Sequence, residues 1–150
     1  VLYALELQMF KTLLWGGEIL EDWKIKVSVL WLFYVVALVG YLVVWLMEPG
    51  VIGDIMIGEM EGEKIGPELL LLFAIILLVP LVMAFLSLTL KNRTNRWANI
   101  IVGIVFVVLQ LVSLGDAVAR SSAWMILMDF SKLVAPALIV WYAWKSKQKA

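Results

Sequence analysis

Toward its C-terminal end the chain reads MDFSKLVAP, Met128 to Pro136, inside a run otherwise made of Trp, Met, Ile, Leu, Val and Ala. An ionisable group inside a lipid-crossing helix costs about 2.5–3.5 kcal/mol to insert, so it normally turns toward the bundle interior and a partner. Asp129 and Lys132 stand at i and i+3, close enough to pair on one helical face. Asp129 falls in the outer third of this run and Lys132 is nearly central, too deep for its stem to carry the ammonium fully to water. Pro136 adds a kink, and its ring displaces the acceptor four residues back, which is the carbonyl of Lys132 itself.

A second polar surface lies upstream. At 100° per residue, Asn99, Gly103, Gln110, Ser113, Asp116, Ala117 and Arg120 share one helical arc of about 140°. Asp116 and Arg120 form an i,i+4 pair at its outer end. Tyr34, Ala37, Tyr41 and Glu48 repeat at helical spacing on an earlier segment, with Tyr41 and Glu48 toward the same end. Two readings fit these residues. In the first, Asp116, Arg120, Asp129 and Lys132 sum to zero charge and stitch two helices together, with Gly103 permitting close approach. In the second, Asp129, Lys132, Asp116, Arg120, Gln110, Tyr41 and Glu48 line a polar vestibule, open to the outside, that binds a small ligand or lipid or passes protons.

The elements that must position them follow from composition. Of 150 residues, 64% are hydrophobic and only 16% charged, and the charges cluster between long apolar runs; a soluble domain carries about 25% charged residues. Four runs qualify as membrane spans: 27–47, 69–90, 99–119 and 124–144. The first, as a helix, reaches about 31 Å. Lys24 and Lys26 precede span 1, Lys91, Arg93 and Arg96 lie between spans 2 and 3, and Lys145, Lys147 and Lys149 follow span 4. The opposite side carries Glu48, Asp54, Glu59, Glu61, Glu63 and Glu68 against Lys64. Positive-inside reasoning places both termini in the cytoplasm of a multi-pass cell-membrane protein. Trp23, Trp97, Trp141 and Trp144 then mark the inner interface, and Trp45 and Trp124 the outer one.

The expected fold is all-α: an integral membrane antiparallel four-helix bundle, up-down-up-down, over residues 24–150. NRTN is read as the turn between spans 2 and 3 and Ser121-Ser122 as that between spans 3 and 4, each forcing antiparallel neighbours. Pro80 should bend span 2 near Ile76. Residues 1–23 form a cytoplasmic segment whose Leu2, Leu7, Met9, Phe10, Leu13 and Leu14 make an interfacial amphipathic helix, ended by Gly16-Gly17. Position 1 is Val, so Met9 stands as an alternative start, and neither the charged n-region nor the cleavage site of a signal peptide is seen. The stretch VIGDIMIGEM reads either as a short helix on the outer surface or as a solvated acidic loop.

Cys and His are absent, which removes thiol redox chemistry, thiolate or imidazole metal sites, bis-His haem and a His general base. No catalytic motif is present and no cofactor or metal is expected. The partners expected are membrane lipids, a second copy of the chain or another membrane subunit, and no nucleic acid. KNRTNRWA and KSKQK either bind anionic headgroups or only set topology. A small oligomeric transporter or channel, moving protons or a solute, is the competing function; one four-helix chain fills its own core and leaves little room for a pore.

The blocks LSLTLKNRTNRWANIIVGI and LIVWYAWK resemble a family of small four-span prokaryotic membrane proteins of unknown function, over about Lys24 to Lys145. That resemblance implies the four-span bundle and no activity. It also implies acids late in span 1 and in mid-span 4, where this chain has positions near Leu42 and Lys132.

Overall fold

The computed structural model describes residues 1–14 and 22–146. The Gly16-Gly17 break and the tail from Lys147 lie outside them. Among the described residues the order is α1 (Leu2–Leu14), α2 (Asp22–Leu46), α3 (Val51–Met56), β1 (Glu59–Met60), β2 (Glu63–Lys64), α4 (Pro67–Thr89), α5 (Asn92–Ala119) and α6 (Ala123–Lys145). Four of these, α2, α4, α5 and α6, are each long and apolar enough to cross a membrane. Their interior is drawn from one narrow stripe per helix, and the rest of each surface is exposed apolar side chain, as a bundle solvated by lipid requires.

Helix α4 starts with Pro67 at its first turn, after the extended Gly66, and both α4 and α6 run through their internal prolines, Pro80 and Pro136. Helix α5 begins well before the expected span. NRTN is not a turn: the Asn95 amide already bonds the Lys91 carbonyl at 2.8 Å, leaving only Leu90 and Lys91 to reverse the chain. The physical reason is burial. Asn95 and Asn99 are fully buried and spend their amides inside the bundle instead of on a turn. At the other connection Ser121 takes a left-handed φ of 54° and turns α5 into α6 as expected.

The four helices do not pack equally. The closest pairs are α5 on α6 and α2 on both α4 and α6, whereas α4 and α5, joined by the shortest path, meet little. Close approach explains the choice. A Cβ built on Gly103 of α5 would lie 2.7 Å from Val140 Cγ2 and 3.6 Å from the Pro136 carbonyl oxygen of α6. On α2 the Ser28 hydroxyl donates to the Ala84 carbonyl of α4 at 2.8 Å.

The core runs through Val27, Trp31, Tyr34, Met83, Ala84, Phe106, Ala135 and Ile139. At its centre Trp31, Tyr34 and Phe106 meet edge to face, with centroids 5.2–6.4 Å apart. Below them a knot of amides ties α2, α4 and α5. The Trp31 indole donates to Asn99 Oδ1 at 2.7 Å, and the Ser87 hydroxyl, which donates to the Met83 carbonyl at 2.7 Å, lies 3.2 Å from the same oxygen. Asn99 Nδ2 donates to Asn95 Oδ1 at 2.6 Å, and Asn95 Nδ2 to the Ser87 carbonyl at 2.6 Å.

VIGDIM forms the short helix α3, one of the two readings of that stretch. After it comes a small antiparallel hairpin, pairing Glu59 with Lys64 and Met60 with Glu63. Its turn residues Glu61 and Gly62 both have positive φ, 51° and 86°, the conformation that a two-residue hairpin turn needs.

Candidate functional site

The seven candidate residues resolve into a sealed ion pair, a central amide and a rim. The ion pair is the deepest charged group. Lys132 Nζ lies 2.7 Å from Asp129 Oδ1, with the two side chains 3% and 1% exposed. Asp129 Oδ2 accepts the Ser113 hydroxyl of α5 at 3.0 Å. The Lys132 ammonium sits 3.7 Å from the centre of the Tyr41 ring on α2. One i,i+3 pair on α6 is thus held by both neighbouring helices, by a hydroxyl on one side and an aromatic face on the other. Both charges turn inward, and neither meets the lipid-facing surface.

Gln110 is separate. Its Nε2 donates to the Tyr34 hydroxyl at 2.7 Å, and its Oε1 is buried without a hydrogen-bond partner among the described residues. Tyr34 links it to the aromatic triad, whose Trp31 in turn bonds the amide knot.

The rim gathers the remaining four candidates, Asp116, Arg120, Glu48 and Tyr41. Arg120 caps the C-terminal end of α5 and bonds Asp116 through Nε at 2.8 Å, the expected i,i+4 pair. The same guanidinium reaches Glu61 in the hairpin turn at 3.1 Å and 3.2 Å. Asp116 and Arg120 therefore lie at the exposed mouth and tie α5 to the hairpin, not to α6. The Glu61 hydrogen bond, more than Asp116, pushes the Arg120 pKa further up and keeps its charge fixed. Glu48 accepts the Trp124 indole N–H at 2.9 Å, and the Trp124 ring lies 5.4 Å from that of Tyr41. Tyr41 and Trp124, tilted 40° to each other, thus form two covers between the Lys132 ammonium and Glu48.

Above those covers is a cavity of ≈ 120 Å³ under α3 and the hairpin. Glu48, Asp54, Glu59 and Glu61 line it with the Arg120 guanidinium and Trp45. Asp129, Lys132, Gln110 and Tyr41 do not. The vestibule expected from sequence is therefore divided, with the open part nearer the surface and built largely from a loop. Asp54 and Glu59 join it unforeseen, because only the hairpin brings their loop back over the bundle. No group of three or more acidic side chains among the described residues is placed to hold a metal ion.

A bundle of helices this long and apolar, with its few intramembrane ions paired inside, is the build of a multi-pass membrane protein. The resemblance seen in the sequence carries over to the whole bundle. The chain belongs to DUF6326, a family of unknown function, which matches residues 14–150. No curated protein and no solved structure matches the chain.

Proposed function

We propose that this is a non-enzymatic protein of the cell membrane, with both termini in the cytoplasm, that receives a small polar or amphipathic ligand, lipid included, in the outer cavity. The observation that carries this is the cavity itself, walled by α3 and the hairpin and floored by Trp45 and Glu48 beside the Tyr41–Trp124 cover. Four carboxylates against one guanidinium suit a ligand that brings positive charge. The Arg120–Glu61 contact holds the hairpin in place over the site. Orientation rests on Lys24, Lys26, Lys91, Arg93, Arg96 and Lys145 at one end and the acidic loop at the other. The absence of His and Cys, with no recognised catalytic motif, supports a binding role over catalysis. A partner membrane subunit could use the same face.

Native mass spectrometry of the full chain, released from the membranes of the cells that make it, tests the proposal. A retained small molecule that is lost in the Glu61→Gln and Glu48→Gln chains supports it. A bare chain, or an adduct indifferent to both substitutions, overturns it. The buried ion pair favours a second reading, proton or solute movement through an oligomer, because intramembrane charges commonly mark such paths. In proteoliposomes that reading requires a proton or solute flux abolished by Asp129→Asn/Lys132→Met.

A further inference from the structure

Among the described residues Arg96 has no counter-ion. It sits in the second turn of α5, partly buried, and makes no hydrogen bond or ion pair with any described residue; its Nε is covered and unpartnered. Its guanidinium carbon lies 5.4 Å from the ring centre of Trp97 and 6.0 Å from that of Trp144 on α6. Aromatic faces hold a guanidinium in place, but they do not neutralise it. Both indoles are about half exposed, and neither N–H has a partner among the described residues.

The surroundings favour an anion. Arg93 stands one turn before Arg96 on the same face, and Lys145 follows Trp144; both are exposed. The ion pairs among the described residues, of Arg120 and Lys132, all lie in the other half of the bundle. Beyond Trp97 the surface of α5 continues as exposed apolar side chain through Ile101 and Ile104. The cation thus sits where the apolar belt ends and the indoles begin, the depth of a headgroup phosphate.

We infer that Arg96, clamped between Trp97 and Trp144, binds the phosphate of an anionic phospholipid, with Arg93 and Lys145 adding charge. The guanidinium fork donates to the phosphate oxygens, the indole N–H groups can donate to the same headgroup, and the acyl chains lie along Ile101 and Ile104. A free phosphate would gain nothing from that apolar surface, so the lipid is the better occupant.

The test uses the full chain in nanodiscs of equal phosphatidylglycerol and phosphatidylcholine, with retained lipids counted by native mass spectrometry. Phosphatidylglycerol should be enriched, and Arg96→Gln should lower that enrichment roughly fivefold, the weight of one basic residue at an anionic surface. Arg96→Lys should keep part of it, since charge remains while the planar fork is lost. Circular dichroism checks the fold of each chain. If Arg96→Gln fails to fold, Trp144→Leu serves instead, removing one side of the clamp and leaving the charge. Equal retention of both lipids, enrichment unchanged in the variants, or displacement of the lipid by millimolar inorganic phosphate would overturn the inference. Glu61→Gln, which alters the outer cavity, should leave the enrichment unchanged, so the two sites fail independently.

Discussion

Replacing Lys132 by Met keeps most of the side-chain volume and removes the charge. What it leaves behind decides the cost. Asp129 is fully buried and would retain only the Ser113 hydroxyl. Breaking a buried pair by removing one partner costs about 3–5 kcal/mol. Loss of the ammonium over the Tyr41 ring, 3.7 Å away, removes a further contact worth up to about 2 kcal/mol when desolvated. Against a total stability of about 5–15 kcal/mol, that is a large fraction. Changing both residues, Asp129→Asn with Lys132→Met, leaves no charge to strand, and Asn can still bond Ser113. The double variant should fall within about 1 kcal/mol of the parent. The coupling between the two positions should therefore reach at least about 2 kcal/mol. Unfolding in mixed micelles with rising denaturing detergent, followed by circular dichroism, measures all four chains of the cycle. A Lys132→Met chain as stable as the parent, or a double variant as weak as the single, would refute the reasoning.

Asn99→Leu should destabilise the bundle by roughly 1–3 kcal/mol in the same assay, because the Trp31 N–H loses its buried acceptor, while the Ser87 hydroxyl keeps the Met83 carbonyl; a loss below about 0.5 kcal/mol would show that the amide knot does not hold the three helices. Gly103→Ala should cost about 1–3 kcal/mol by pushing a methyl group into stiff, β-branched Val140 across the α5–α6 contact. Gly115→Ala, with open space around its Cβ, is the matched control and should be neutral or slightly stabilising.

The long-range frame of this protein is legible because lipid imposes it. Apolar runs of about 20 residues need no tertiary knowledge to be read as helices, and their flanking charges order them. The Asp129–Lys132 pair is equally local, since i,i+3 spacing on one helix brings the groups together wherever that helix packs. The pairing of helices is harder to read. Between Glu68 and Ser87 α4 is apolar throughout, so no polar face says which side meets α2 and which meets lipid. The link between Trp31 and Asn99 joins residues 68 apart in sequence, and a Trp between two Leu in an apolar run gives no sign of it. Asn95 of NRTN has a strong turn preference, which misleads here because tertiary burial supplies its partner, the Ser87 carbonyl. The hairpin is hidden for another reason. Its strands are two residues long and carry more charge than β-propensity, so only the Glu61-Gly62 turn hints at it. That hairpin closes the outer cavity, and with it most of the candidate ligand site was beyond reach of pattern.

Cysteine labelling tests the central claim most directly, because the chain has no native Cys to remove. Glu63→Cys on the hairpin and Lys91→Cys between α4 and α5 both place an exposed thiol outside the apolar helices, at opposite ends of the bundle. In sealed right-side-out vesicles, a membrane-impermeant maleimide should modify the Glu63→Cys chain at once and the Lys91→Cys chain only after permeabilisation. Labelling of both before permeabilisation, or of Lys91→Cys alone, would contradict a bundle that crosses the bilayer with its acidic cavity outside.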